Sequence, residues 1–324
     1  TCIDVIEELS YADGSTGWVA LATIFGTKGA GIYCGPKAVD AIFNGDSSFV
    51  AASSIAPNGK AERVDGGYRI SGGFQFGSGS QIASWFMGGF VLHENGAPAR
   101  TESGGPKVLM AFAPRDKVVL DYGSWDVMGL KATASYDFFF VDQFVEEDFL
   151  MDWSHRRHGG PSLDISVSMG HVTFSLGVAM RILDELKALA QRKQRQGRLT
   201  LIDQPTFQRD FGMMRALLDA ARSHIRVVYE DWRQDAEANG TATLATRAQA
   251  RLAACWATKV STDVARFAYN AAGSDGLRDS PDNRLQRCFR DIEAGAVHRH
   301  VDENVLIECT QVLLGVNSPT LVLI

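Results

Sequence analysis

The sequence predicts an α+β fold: a helical N-terminal segment over 1–46, a central antiparallel β sandwich or barrel over 47–152, and a C-terminal four-helix bundle over 153–324. Three observations carry this. Between Phe49 and Val145, short runs rich in β-branched and aromatic residues recur about every ten residues, separated by Gly and Asn turns. On either side the apolar residues repeat with the helical period instead. Helices and strands are therefore segregated along the chain, which distinguishes an α+β layout from alternating β-α units.

The elements follow in order. The first helix places Ile3, Val5, Ile6 and Leu9 on one face. Asp13–Trp18 (DGSTGW) is expected to turn and to offer N-cap oxygens to a second helix, Val19–Phe25. Gly26, Gly29 and Gly31 are expected to break that helix, and Pro36 opens a third, reaching Asn44. The β domain reads FVAASSIA, GYRISGGFQF, WFMGGFVL, KVLMAFAP, KVVLDYG and SYDFFFVDQFV, with a polar, mobile hairpin tip at Ala97–Pro106. The bundle helices are Met169–Gly197, Pro205–Glu237, Ala242–Ala272 and Arg284–Gly315.

Bulk properties bound the function. A chain of 324 residues, 45% hydrophobic, can build a sizeable core. Its net charge of -6, without a basic stripe, argues against a nucleic-acid binder. The basic run Arg192–Arg198 falls at a helix end, where it reads as a solvated terminus or as a phosphate contact. Cys2, Cys34, Cys255, Cys288 and Cys309 are scattered and never form CxxC, the pattern of reduced thiols in a cytoplasmic protein. No apolar run reaches the roughly eighteen residues of a membrane span, and no signal peptide is visible. The chain lacks an initiator Met and begins inside a helical pattern, so it reads as a fragment or processed chain lacking its N-terminal part.

Few motifs for common cofactors are present. Gly26, Gly29 and Gly31 have the wrong spacing for a nicotinamide fold, and GSGS at Gly77–Ser80 lacks a third glycine. The pairs His155/His158 and His298/His300 lack metal-site spacing and acidic partners, so no metal is expected. Ser78, flanked by glycines at a strand end, is either a plain turn residue or a contact for a flat ligand. Thr133 and Ser135 are expected to share a strand face near Trp125, facing water or a polar ring edge. Gln286, Arg287 and Arg290 open the last helix and would either clamp an anion or pair with neighbouring helices. On one continuous helix, Arg290 and His298 would lie on one face, about 12 Å apart. Asp302, at i+4 from His298, would orient its imidazole.

Taken together, DGSTGW, FGSG at Phe76–Gly79, Trp125–Asp137 (W-x-x-x-GL-x-x-T-x-S-x-D), AAGS at Ala271–Ser274 and LQR-x-x-RD at Leu285–Asp291 resemble the acyl-CoA dehydrogenase superfamily of flavoproteins. Within it the chain looks most like the flavin-dependent monooxygenase branch, the oxygenase components of two-component aromatic hydroxylases, and more distantly the dibenzothiophene monooxygenases. The resemblance implies hydroxylation of an aromatic or heteroaromatic small molecule through a flavin C4a-hydroperoxide. The cofactors would be O2 and a reduced flavin, FADH2 or FMNH2. NAD(P)H would enter only through a separate flavin reductase, and a cytoplasmic homotetramer is implied. It assigns Phe76, Ser78, Gly79, Trp125, Thr133, Ser135, Gly273, Gln286, Arg287 and Arg290 to the flavin, and Trp18, Ser53 and His298 to the substrate. His298, Ser78 and Asp302 would be catalytic. Two departures stand out. Arg299 occupies the place of the dehydrogenase glutamate, and a guanidinium is no base at neutral pH, which disfavours an acyl-CoA dehydrogenase or leaves a non-catalytic flavin-fold subunit as the other alternative. Gly26 stands where phenol hydroxylases of the branch carry a histidine, which leaves sulfur or nitrogen oxygenation, or a bulkier ring, open.

Overall fold

The computed structural model describes residues 2–44, 49–102, 104–151, 156–157, 166–278, 280 and 283–316. His155, His158 and the expected boundaries at 46/47 and 152/153 lie outside them. The described residues form eight α-helices and one eight-stranded mixed sheet. By contacts the chain divides into two compact units: Thr1–Leu21 with Val127–Leu130 and Asp164–Ile324, and Ala22–Asp126 with Lys131–Leu163.

The helical unit holds α1 (Cys2–Ala12), the first turns of α2 (Gly14–Tyr33), α4 (Ser166–Arg192), α5 (Pro205–Asn239), α6 (Leu244–Ala272), α7 (Leu285–Ala296) and α8 (Glu303–Leu313). The DGSTGW segment is helix rather than turn: Asp13 Oδ1 accepts from the Thr16 amide at 2.9 Å, so the cap acts one turn earlier than expected. Ile3 and Ile6 are buried on α1 while Val5 is exposed. Glu7, buried on the same helix, pairs with Arg222 and, at 3.0 Å, with Arg226 of α5. Gly177 of α4 is required by packing, since a Cβ there would sit 2.3 Å from the Glu7 carbonyl oxygen.

The last expected helix is two. Capping ends α7 at Ala296, and α8 starts afresh at Glu303 with Asp302 as its N-cap; the Asp302 carboxylate accepts from the Asn304 and Val305 amides at 2.9 and 3.2 Å. His298 therefore stands in the connecting turn, and neither the shared helical face with Arg290 nor the i+4 relation to Asp302 exists.

The β unit contains the rest of α2, α3 (Pro36–Phe43), β1 (Ala51–Val64), β2 (Gly67–Gly77), β3 (Trp85–Glu94), β4 (Ala97–Pro98), β5 (Val108–Pro114), β6 (Val119–Asp121), β7 (Tyr136–Glu146) and β8 (Leu150–Met151). The strand order is β6-β7-β2-β1-β3-β5-β8, with β4 on β3. The sheet is not wholly antiparallel, because β1 runs parallel to β3 from Ala51↔Trp85 onward. Its core is aromatic: Phe74, Phe86, Phe90, Phe138 and Phe140 are all buried and in mutual ring contact. The glycines at 26, 29 and 31 do not break α2.

Candidate functional site

Two groups of polar side chains stand out, one in each unit. In the β unit, Ser78, Thr133 and Ser135 are buried and linked: Ser135 Oγ lies 3.0 Å from Ser78 Oγ and 2.7 Å from Thr133 Oγ1. The Gly79 amide donates to the Thr133 carbonyl at 2.9 Å, tying the two loops together. The backbone is unusual here, with Phe76 at φ 62°, Gly79 at φ 82° and Ala134 at φ 44°. Non-glycine residues at positive φ are costly and cluster where function needs them. Thr133 and Ser135 do not share a strand face as expected. Thr133 ends a 3-10 turn (Lys131–Thr133), and Ser135 precedes β7, so a tight turn brings both hydroxyls to Ser78. Phe76 is exposed and meets Trp125 edge-on at 6.2 Å, while the Trp125 indole donates to the Lys131 carbonyl. Ser53 lies half-buried on β1, paired in register with Met87. Gly26 packs so tightly that a Cβ would fall 2.9 Å from the Ala51 Cβ, so the absent histidine has no room.

In the helical unit, His298 stacks on His171 of α4, ring centroids 3.9 Å apart and planes 23° apart. His300 stacks 5.3 Å from His298, and Trp18 meets His298 edge-on at 5.7 Å and His171 at 4.9 Å. His171 was not anticipated: a lone histidine in an apolar helix gives only a weak signal. Its Nδ1 lies 2.7 Å from the Val167 carbonyl, so Nδ1 carries the proton and Nε2 is an acceptor. Burial pushes the His171 pKa down to about 4 and that of His300 to about 3, the latter with help from His171, Arg251 and Arg299. His298 is likewise held well below its ordinary value, first by burial and then by its two histidine neighbours. All three are neutral at pH 7. No group of three or more His, Cys, Asp or Glu side chains among the described residues can hold a metal ion; stacked imidazoles do not converge their lone pairs.

The other expected residues have partners within the helical unit. Gln286 Nε2 donates to the Leu277 carbonyl at 3.4 Å, Arg287 is 3.8 Å from the Asp13 carboxylate, and Arg290 donates to the Met128 carbonyl at 3.0 Å. Gly273 closes α6 at φ 55°. Asp291 receives the Leu130 amide at 2.6 Å, and a Cβ on Gly129 would sit 2.1 Å from the Arg290 carbonyl oxygen. The GL of the Trp125–Asp137 motif and the RD of LQR-x-x-RD are thus two halves of one packing contact. Burial raises the Asp291 carboxyl to about 6. Arg299 is exposed.

Against known proteins, residues 169–303 match the acyl-CoA dehydrogenase C-terminal domain. The indole-3-acetate monooxygenase of Pseudomonas putida is 31% identical over 310 residues, 91% of this chain and 74% of the relative. The chain belongs to the flavin-dependent monooxygenases with an acyl-CoA dehydrogenase-like fold. Two solved structures share this monooxygenase's fold. The 3-HSA hydroxylase from Rhodococcus sp. RHA1 has a TM-score of 0.86 at 22% identity, with 98% of this chain and 82% of that one covered. XiaF from Streptomyces sp., in complex with FADH2 and glycerol, has a TM-score of 0.83 at 22% identity, covering 97% and 81%. No helix among the described residues is long and apolar enough to cross a membrane.

Proposed function

We propose that this monooxygenase is the oxygenase component of a two-component system that hydroxylates an aromatic or heteroaromatic small molecule, with an indole-type ring the first candidate. The relative that is 31% identical is an indole-3-acetate monooxygenase, which motivates the ring class. The observation that carries the chemistry is the neutral His298, stacked on His171 and walled by Trp18. A neutral imidazole can accept a hydrogen bond from a ring O–H or N–H, which holds the ring in place and favours electron release from it at the moment of oxygen transfer.

Reduced flavin, FADH2 or FMNH2 supplied by a separate NAD(P)H-dependent reductase, activates O2 when bound; one oxygen atom goes to the substrate and the other to water. The residues of the β unit fit such a group. Ser78, Thr133 and Ser135 form a buried set of hydroxyls able to donate to and accept from a polar ring edge. Ser78 would serve the N5 edge, and Thr133 and Ser135 the pyrimidine edge. Phe76, Gly79 and Trp125 would flank the ring, and Gln286, Arg287 and Arg290, with Gly273, would approach a flavin's phosphate or ring edge, partly across a subunit interface. Trp18 and Ser53 would contact substrate, and the assembly would be a homotetramer. A dehydrogenase reading is disfavoured because an exposed Arg299 stands in place of a carboxylate base.

Turnover with reduced flavin, indole-3-acetate and 18O2 tests this. The product is expected to carry one labelled oxygen. His298→Ala is expected to cut product per flavin oxidised by about 100-fold while hydrogen peroxide rises to match. Undiminished hydroxylation by the variant would remove His298 from the mechanism, and anaerobic bleaching of oxidised flavin by an acyl-CoA would restore the dehydrogenase.

A further inference from the structure

In the β unit one buried hydroxyl stands between two others. Ser135 is 1% exposed, and its Oγ lies 3.0 Å from Ser78 Oγ and 2.7 Å from Thr133 Oγ1. A hydroxyl carries a single proton. Ser135 can therefore donate to one neighbour only, and it completes the second bond by accepting from the other. Ser78 and Thr133 are thereby held in opposite roles towards it, one as acceptor and one as donor. The backbone pins the loops that carry these hydroxyls. The Gly79 amide donates to the Thr133 carbonyl at 2.9 Å, and the Ser78 amide to the Phe76 carbonyl at 2.8 Å. What can still change is the rotation of each O–H about its C–O bond. Ser80 is buried in the same turn, but its hydroxyl is committed to the Gly77 carbonyl.

Such a chain has two polarities, and the two redox states of a flavin call for one each. N5 of the oxidised ring is an acceptor; N5 of the reduced ring bears a proton and is a donor. With Ser78 at the N5 edge, the oxidised ring takes the Ser78 proton. Ser78 then accepts from Ser135, Ser135 accepts from Thr133, and Thr133 presents an acceptor to the pyrimidine N3–H. The reduced ring reverses every bond. Ser78 accepts from N5–H and donates to Ser135, Ser135 donates to Thr133, and Thr133 donates to a pyrimidine carbonyl oxygen. That oxygen carries more negative charge in the reduced ring, where a hydrogen bond to it is stronger. No proton passes between residues; the three hydroxyls rotate. Burial makes them rotate together, because a buried donor turned away from its acceptor costs more than a hydrogen bond gains.

We propose that Ser135 is a positioning residue that makes the N5 edge and the pyrimidine edge of the flavin change hydrogen-bond sense together, and that this coupling favours reduced over oxidised flavin at the site. This inference rests on the proposed placement of the flavin and deepens it: Thr133 meets the pyrimidine edge, and Ser135 acts through Thr133 and Ser78. Removing the Ser135 hydroxyl harms the reduced state more. There the proton that Ser78 turns away from N5–H loses its acceptor. In the oxidised state Ser78 loses only a donor to its lone pair, and an oxygen short of a donor costs less than a buried donor short of an acceptor.

Dissociation constants of the full chain for oxidised FMN and for dithionite-reduced FMN, measured anaerobically by ultrafiltration, test this without turnover. Ser135→Ala is expected to weaken reduced FMN about tenfold more than oxidised FMN. That ratio corresponds to a fall of about 30 mV in the midpoint potential of the bound two-electron couple. Thr133→Val, which keeps the shape of the side chain, is expected to shift the ratio in the same direction, and the double variant to shift it by less than the two single effects combined. Ser80→Ala removes a buried hydroxyl of the same turn and is expected to leave the ratio within about twofold. Equal weakening of both redox states in Ser135→Ala overturns the proposal, and so does a matching change of ratio in Ser80→Ala. If Ser135→Ala does not fold, an unchanged ratio in Thr133→Val overturns it alone. Ser78→Ala separates the two levels of failure. If it binds both forms of FMN as the wild type does, the flavin is not at Ser78, and the proposed site falls together with the coupling. If it weakens FMN while Ser135→Ala leaves the ratio unchanged, only the coupling falls.

Discussion

At the scale of single residues, His171 is the group that best connects structure to a measurable quantity. Its imidazole is buried, neutral and stacked on His298, with a pKa lowered to about 4. In the unfolded chain a histidine titrates near 6.5. Between those values the unfolded state binds the extra proton, so stability is full above pH 6.5 and is lost as pH falls towards 4. The difference amounts to roughly 3 kcal/mol. Asp291 works in the opposite sense, because its raised pKa of about 6 makes burial of its charge costly as pH rises from 4 to 6. Replacing His171 with Phe keeps an aromatic ring against Trp18 and removes the titration. Denaturant titrations of His171→Phe at pH 7 and pH 4.5 are expected to show a smaller acid-side loss than the wild type; equal losses would mean that the unfolded and folded histidines titrate alike. Serine positions tell the same story about context. Ser78 was legible as a candidate from its flanking glycines, but its partner hydroxyls met it through a 3-10 turn and a positive φ at Ala134, features that strand periodicity does not signal.

At the scale of elements, the turn between α7 and α8 matters most. Hydrophobic periodicity runs on through Val301, Val305 and Cys309, and these residues do pack together, so the pattern looked like one helix. The break is local: Gly295 presses so closely on Phe174 that a Cβ would lie 2.5 Å from its ring, and Asp302 restarts the helix as a cap. That turn swings His298 onto His171 instead of aligning it with Arg290. The cap makes a prediction. Asp302→Ala is expected to cost about 1 kcal/mol of stability in denaturant, and Asp302→Ser, which can still accept from the α8 amides, to retain most of it. A loss of coupling between flavin oxidation and product, with stability unchanged, would instead assign Asp302 to His298 as originally expected. The Gly129 and Leu130 contact with α7 shows a similar division. Both motifs were legible, but their meeting was not, because a backbone-to-backbone approach leaves no periodic trace.

At the scale of the whole molecule, the chain contains a helical unit and a β unit, and no nicotinamide-binding glycine motif. The purified protein is therefore expected to leave NAD(P)H unoxidised when mixed with flavin and O2. Adding any flavin reductase, or supplying chemically reduced flavin, is expected to start turnover at a rate that does not depend on the reductase's identity. NAD(P)H consumption by the chain alone, followed by absorbance, would show a nicotinamide site that neither the motifs nor the proposed function provides for.

The sequence by itself determined the α+β class, the order of most helices and strands, and the resemblance to a flavoprotein superfamily. These follow from periodicity and short motifs, both of which are local and survive in one dimension. Only the tertiary structure decided that β1 runs parallel to β3, that Ser78 joins Thr133 and Ser135, and that Asp302 caps a helix. It alone brought His171 under His298. The physical reason is common to all of them. Each depends on groups distant in the chain, or on one backbone angle at a turn, which is settled by packing in three dimensions.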